Sequence, residues 1–271
     1  MGDLLSTALL TCHGKAEAIA PPLAQAGYAV FTVDGFDTDS LGTFTGEVDR
    51  EGTMLDAARR KAQLACSLSG ARFGLGSEGS FGSDPWVGIT PWGREILVWY
   101  DAREQLEISA FVQGAETNFA SKCVATMDEA LSFAAVVGFP QHGIIVGGAN
   151  QSVFDKTCTT MSSFRASVRR ALRDGPVELA TDMRAHRNPR RMQMIGRCAQ
   201  DLATRLISFC PQCHLPGFGA YAPVPGAICL QCARPSKQPR AVLYRCVSCA
   251  FESEEFLRKD VMPKYCDYCN P

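Results

Sequence analysis

An apolar run over Leu4–Leu10 stops at a small polar cluster, Cys12-His13-Gly14-Lys15, and a helix-like pattern begins directly after it. Leu4–Leu10 and Tyr28–Val33 have the length and composition of strands. Thr53-x-x-Asp56 is a capping-box start, and the pattern behind it predicts a helix to about Ser69. "ARFGLGSEGSFGSDP" reads as a short strand entering a glycine-rich loop. The apolar runs "EILVWYD" and "EISAFV" predict a hairpin, and Thr126-x-x-Glu129 caps a helix that ends at Gly138. "HGIIVGG" and "PVELA" are strands on either side of a helix over about Ser162–Asp174. Asn188-Pro189 puts asparagine at a cap and proline at the first helical position. Behind them Met192, Ile195, Ala199, Leu202 and Leu206 share one helical face.

Alternating elements of this kind predict an α/β domain, a mixed sheet with flanking helices in a three-layer or α+β arrangement, over residues 1–207. The pattern then changes. Residues 208–271 are poor in aliphatic side chains and hold four C-x-x-C pairs: Cys210/Cys213, Cys229/Cys232, Cys246/Cys249 and Cys266/Cys269. The gaps between pairs are 15, 13 and 16 residues. A C-x-x-C turn sets two thiolates on one side of a tetrahedral ion, and a second turn completes the shell. The eight cysteines therefore predict tandem ribbons with two structural zinc ions, whose binding supplies the folding energy that so small a core lacks. The spacing favours pairing first with second and third with fourth, and leaves a cross-braced arrangement open. "CPQCH", Cys210 to His214, also fits the c-type haem attachment pattern, but the other three pairs lack a following histidine.

Composition changes the picture little: 271 residues, 46% of them apolar, with a net charge of -1. Distribution says more. Residues 1–164 carry a net -9, residues 165–209 +6 and residues 210–271 +2. An acidic body followed by an arginine-rich strip suits metal and phosphate chemistry, and equally a surface that is merely uneven. No apolar run is long enough to span a bilayer, and no basic n-region of a signal peptide is visible, so the expected setting is a reducing cytoplasm with no membrane partner. There cysteines are not read as disulfides.

Chemistry is expected in the connections between elements. His13-Gly14-Lys15 joins a strand to a helix, where a glycine, free N–H groups and a lysine suit phosphate. Asp56 lies on the helix that also carries Arg59, Arg60 and Lys61. Glu78 stands between glycines, where a carboxylate can reach magnesium. "TDMRAHRNPRR" sets Asp182, Arg184, His186 and Arg187 between a strand end and a helix start, where arginines can clamp phosphate or stack on a base. Together the four clusters suggest a magnesium-dependent site for a phosphorylated substrate.

The order of these clusters resembles the inosine-triphosphatase-like family of house-cleaning nucleoside-triphosphate pyrophosphatases and its sister group of non-canonical purine phosphatases. "TCHGK" is similar to their Asn-x-x-Lys turn, and "EGTMLDAARRKAQLA" to their Gly-Thr-x-x-x-x-Ala-x-x-Lys-Ala helix. "GLGSEGSFG" is similar to the sister group's acidic glycine-rich loop, "GFPQHGIIV" to a Gly-Phe segment, and "AHRNPRR" to the Ser-His-Arg of base recognition. The resemblance implies magnesium-dependent hydrolysis of a nucleoside triphosphate or related nucleotide. Lys15 and Lys61 would hold phosphates, Asp56 and Glu78 would carry the cation and catalysis, and Arg184, His186 and Arg187 would hold the base or distal phosphate. The chain departs from that pattern at His13 or Cys12, one of which stands where asparagine is expected, and at Pro21 and Pro22, which interrupt the first helix. It also has a single Glu78 in place of paired aspartates, and it has the ribbons. As a whole, with "TDMRAH", "NP" and the tandem C-x-x-C tail, it resembles an uncharacterised bacterial family catalogued as a domain of unknown function. The alternative is a non-catalytic module that binds nucleic acid or protein through the arginine-rich strip and the ribbons, although aromatic residues are not interleaved with the basic ones in that strip.

Overall fold

The structure is a computed structural model that describes residues 4–11, 13–33, 52–147 and 154–271. Its contacts divide the chain into two compact units, residues 1–105 with 109–202, and residues 106–108 with 203–271. The first is a mixed α/β unit and the second holds the cysteine-rich ribbons, the fold class that the sequence pattern predicts.

The α/β unit opens with β1 (Leu5–Leu10), α1 (Ala16–Gln25) and β2 (Tyr28–Val33). Then come α2 (Met54–Ser69), β3 (Phe73–Ser83), β4 (Pro91–Asp101) and β5 (Leu106–Gly114). These strands form one sheet in the order β2-β1-β3-β4-β5. β1 is parallel to both β2 and β3, whereas β4 runs back antiparallel to β3 over the full eleven residues from Phe73↔Asp101 to Ser83↔Pro91. The chain continues through β6 (Ser121–Val124), α3 (Met127–Val137), β7 (Ile144–Gly147), β8 (Phe154–Asp155), α4 (Met161–Ala171), β9 (Val177–Thr181) and α5 (Pro189–Leu206). A second sheet, β6-β9-β7-β8, is antiparallel throughout. Phe133, Phe139, Phe164, Val168, Val177 and Leu179 form its apolar core with α3 and α4.

Local chemistry sets the helix ends. Thr53 and Asp56 exchange side chain-to-backbone bonds across the first turn of α2, and Gly70 ends it in the left-handed region at φ 71°. Thr126/Glu129 and Gly138 do the same for α3. At α5 the Asn188 side chain accepts the Arg191 N–H at 3.1 Å. Ile195, Ala199, Leu202 and Leu206 are buried as the periodicity predicts. α1 runs unbroken through Pro21 and Pro22, contrary to the expected interruption. α4 stops at Ala171, short of the expected Asp174.

The glycine-rich stretch is the main correction. It is not a loop: "FGLGSEGSFGS" is one continuous central strand, β3, with Glu78 at its middle opposite Ile96. Packing explains why a strand here is so rich in glycine. A Cβ on Gly76 would lie 1.8 Å from the Ala58 carbonyl oxygen, and one on Gly74 would lie 2.0 Å from that of Ala62. Helix α2 rests its backbone directly on the strand, and only glycine leaves room for it.

The ribbon unit contains β10 (Phe218–Pro225), β11 (Ile228–Cys229), β12 (Pro239–Cys246), β13 (Glu252–Phe256) and β14 (Asp260–Val261). β10-β12-β13 form an antiparallel sheet, and β11 pairs with β14 in parallel. Among the described residues no helix is long and apolar enough to cross a membrane.

Candidate functional site

The order β2-β1-β3 makes β1 the point at which the sheet changes direction: α1 leads from β1 out to β2, and α2 leads back past β1 to β3. In open α/β sheets the crevice beyond the carboxyl ends of strands at such a point is the usual ligand site. Here the crevice has a built wall. β1 pairs with β3 only as far as Leu9↔Leu75, while β3 continues to Ser83. The edge of β3 from Ser77 onward therefore flanks the turn at His13-Gly14-Lys15. Gly14 takes φ 66°, which a side chain would strain, and Lys15 begins α1.

Alternation along β3 sorts the charges. Even positions face α2, as the contacts of Gly74 and Gly76 show, and odd positions face α5, since a Cβ on Gly79 would meet Arg191. On the α2 side Lys61 donates to Glu78 in a buried ion pair. On the α5 side the Lys15 ammonium donates to the Ser77 hydroxyl at 3.2 Å and its carbonyl oxygen at 3.3 Å. There too the Arg191 Nε donates to Glu95 Oε1 at 2.6 Å, and another of its nitrogens donates to the Met183 carbonyl oxygen. All five charged groups are buried, Glu95 to 1% exposure. Its second oxygen, Oε2, has no hydrogen-bond partner among the described residues. Burial, reinforced by the Arg191 charge and opposed by Glu95 and Glu78, pulls the Lys15 ammonium down to about 8. Three cations and two carboxylates from five elements thus share one interior region around the edge of β3.

The first and fourth sequence clusters meet here. The His13 and His186 rings lie 5.4 Å apart, and a Cβ on Gly14 would sit 3.7 Å from the His186 Cβ. Burial, with the nearby Arg184 charge, lowers the His186 pKa. The other members of the fourth cluster brace the corner between β9 and α5. Asp182 receives Arg184 in a two-pronged pair at 2.7–3.1 Å, and Arg184 also donates to the Lys156 carbonyl oxygen at 2.8 Å. Arg187 donates to the Cys158 carbonyl oxygen at 2.7 Å. Through these nitrogens Arg184 and Arg187 bond protein groups.

Asp56 is not brought into the cluster. It is an exposed capping residue, bonded to Thr53 and ion-paired with Arg59 at 2.9 Å. Those Thr53 bonds hold its carboxyl below the usual range. Ala58, two residues and about 200° of helix rotation away, is the position that faces the sheet. Asp56 and Glu78 thus stand apart, one at the cap of α2 and the other beside Lys61. Cys12 lies outside the described residues.

Two members of the cluster, Ser77 and Glu95, carry no motif, and Arg191 had no assigned role. A signal was present for Arg191: it lies three, four and seven positions from Asn188, Ile195 and Cys198, so a guanidinium occupies the apolar stripe of α5. Glu95 likewise is the lone carboxylate leading into the buried run Ile96–Trp99.

The cysteines form two clusters, Cys210, Cys213, Cys246 and Cys249 in one, and Cys229, Cys232, Cys266 and Cys269 in the other. The pairing is cross-braced, first with third and second with fourth, which corrects the sequential pairing favoured by spacing. Sulfurs of facing turns are 3.6–3.8 Å apart, at Cys213–Cys246, Cys210–Cys249, Cys232–Cys266 and Cys229–Cys269. Four sulfurs about 2.3 Å from a tetrahedral zinc are separated by about 3.8 Å, so the clusters fit the ion. Three of the turns share one design. The first cysteine's N–H donates at 2.9 Å to the carbonyl of the residue five positions on, Leu215, Arg234 or Phe251. The residue after the second cysteine, His214, Ala233 or Ala250, is left-handed at φ 54–59°. The Cys232 N–H draws the Cys229 thiol down to about 7, and bonds from Cys213 and Gln212 outweigh burial to do the same for Cys210. Cys210 and Cys213 are both members of a four-sulfur set, which leaves no thiol pair for haem attachment.

No curated protein and no solved structure matches this chain. A family described as domain of unknown function (DUF6671) matches residues 61–271, from the Lys61 that meets Glu78 to the end of the second metal cluster, and the chain belongs to that family.

Proposed function

We propose that the crevice beyond β1 is a phosphate cradle and that the protein hydrolyses a nucleoside triphosphate or a related nucleotide with magnesium. The observation that carries this reading is the convergence of Lys15, Lys61 and Arg191, three buried cations remote in sequence, at the one point where the sheet order reverses. Buried cations exceed buried carboxylates there by one, which favours an anionic guest. The turn that holds Gly14 and the start of α1 adds N–H groups to the same place. With Asp56 engaged as a cap, the acidic groups left for magnesium are Glu78 and Glu95. The unpartnered Glu95 Oε2 is a hard oxygen of the kind magnesium takes, and the ion would position the attacking water. Since Lys15 sits near 8, its charge and the affinity it supplies fall as pH rises through that value.

The test is a screen of the zinc-loaded protein against canonical and damaged nucleoside triphosphates with magnesium, reading pyrophosphate and phosphate separately. Magnesium-dependent release, lost in Lys15→Met and in Glu95→Gln with zinc content intact, is the expected result. Absence of release across the panel removes the hydrolase reading.

A specific observation supports the second reading, a nucleic-acid-binding module. In the ribbons three cations stand over exposed tyrosines: Arg245 over Tyr221 at 4.6 Å, Arg234 over Tyr268 and Lys264 over Tyr265 at 4.8 Å. Charge weighs against it. The formal +2 of residues 210–271 is offset by two tetrathiolate zinc centres of roughly −2 each. Arg245, Arg240 and Lys237 are moreover paired with Glu252, Glu254 and Asp267. Binding to single-stranded RNA or DNA that weakens steeply with salt is the outcome this reading requires.

A further inference from the structure

Beyond the Lys61–Glu78 pair, the β3–β4 ribbon carries a second feature on the same face. Continuing along β3 from Glu78, the even positions are Ser80 and Gly82, and their partners on β4 are Arg94 and Trp92. These four, with Phe81 and Ser83, line a groove of about 70 Å³. Its floor is open: a Cβ on Gly82 would meet nothing within 4 Å, although the strand there is fully paired with β4. Trp92 is held at the side of the groove. Its indole N–H donates to Gln113 Oε1 at 3.2 Å, and the Trp86 ring stands against it edge-on, 5.1 Å away at 89°. Trp86 belongs to a turn that the Asp84 carboxylate fixes by accepting the N–H groups of Trp86, Val87, Ile89 and Thr90 at 2.8–3.1 Å. The guanidinium of Arg94, half-buried in the groove, has no hydrogen bond or ion pair among the described residues. A rigid aromatic wall, a glycine floor with empty space above it and an unpaired guanidinium are the parts of a subsite for a planar group with acceptor atoms.

We infer that this groove receives the base of a nucleotide, stacked beside Trp92 with Arg94 on its acceptor edge. The inference rests on the phosphate cradle proposed above and names where the rest of the substrate lies. Of the cradle's cations, Lys61 lies on this same α2 face, paired with Glu78, and joins the two. Gly82 is four strand residues from Glu78, about 13 Å along that face, with Arg94 about midway. That is the order of length from base to terminal phosphate in an extended nucleoside triphosphate.

The experiment titrates the full zinc-loaded chain with ATP, GTP, inorganic triphosphate and free nucleosides, following tryptophan emission and calorimetric heat. Gly82→Val fills the groove at a strand position with open space, and Arg94→Met removes the cation. Tryptophan emission is expected to be quenched by the nucleotides and unchanged by triphosphate. Each variant is expected to weaken nucleotide affinity about tenfold or more, the scale of one stacked base, with triphosphate affinity unchanged. Equal loss of nucleotide and triphosphate binding, or nucleotides that bind no tighter than triphosphate, overturns the base subsite and leaves the cradle standing. Nucleotide quenching that is lost in Gly82→Val, in a protein that ignores triphosphate, has the opposite meaning: the groove stands and the cradle falls. Failure of every probe to bind removes both.

Discussion

The contact between α2 and β3 decides whether Lys61 reaches Glu78, and a single methyl group tests it. Gly76→Ala places a Cβ 1.8 Å from the Ala58 carbonyl oxygen and 2.8 Å from the Ala62 nitrogen, both main-chain atoms of α2. No rotamer relieves such a clash. The helix must withdraw by about 1.5 Å to restore van der Waals distance, and the layer of Ala58, Ala62, Ile96 and Val98 opens with it. Overpacking of this kind costs about 3 kcal/mol. With a urea slope of about 2 kcal/mol/M, the midpoint falls by about 1.5 M. The assay has a built-in reporter, because all three tryptophans, Trp86, Trp92 and Trp99, lie in the α/β unit and none in the ribbons. Urea titration by tryptophan emission at fixed zinc therefore follows the unit of interest. Gly82→Ala is the matched control: the same strand and the same chemistry, with nothing within 4 Å of the new methyl. Its midpoint should stay level or rise slightly, as the unfolded chain loses freedom. A Gly76→Ala midpoint within roughly 0.3 M of wild type would show that α2 does not rest on the strand backbone, and the placement of Lys61 would lose its basis.

Metal content tests the cross-brace: Cys210→Ser with Cys246→Ser removes two ligands of one cluster, so one zinc per chain should remain by elemental analysis. Cys210→Ser with Cys229→Ser damages both clusters and should leave none at full occupancy, whereas sequential pairing predicts the reverse pattern. Arg191→Met strands the Glu95 carboxylate in the interior and should cost about 3–5 kcal/mol in urea unfolding, with part of the loss recovered in Arg191→Met/Glu95→Gln. A cost under about 1 kcal/mol would mean that the pair is not buried as described. Because Lys15 falls from 10.5 to about 8 on folding, the folded state binds fewer protons than the unfolded chain between those values. Stability therefore rises with pH across that window. Wild type minus Lys15→Met, compared at pH 8 and pH 10, should show that rise, and a flat difference would contradict the burial of a charged Lys15.

What the sequence makes legible is what short-range chemistry decides. Thr53-x-x-Asp56, Thr126-x-x-Glu129 and Asn188-Pro189 mark helix starts because a cap is a bond between residues three apart, and the structure makes each of those bonds. The four C-x-x-C turns are visible for the same reason. Their pairing is not, since gaps of 15, 13 and 16 residues allow either connection. Only the threading of β10 and β12 beside each other brings the first pair to the third. The start of β3 is legible but its run through the glycines is not, because glycine has low strand propensity on its own. Its glycines answer to the backbone of α2, a partner that no local window contains.

Asp56 and Glu78 show the same division at the site itself. Both carboxylates suit a cation when read from sequence, yet Asp56 also fits a capping box, and in this fold the cap takes it. Glu78 keeps its place beside Lys61 because the strand and helix that carry them are in backbone contact, not because a loop delivers it. The residues that close the cluster, Ser77, Glu95 and Arg191, are set by sheet alternation and by the apolar stripe of α5, into which a guanidinium has been placed. Burying an arginine at such a position costs several kcal/mol unless it is paired, and here its partner, Glu95, keeps one oxygen unsatisfied. A fold that needed only a filled interior would be served better by leucine at both positions. The presence of this incomplete pair beside Lys15, where the sheet order reverses, is the strongest physical reason to look for a ligand there.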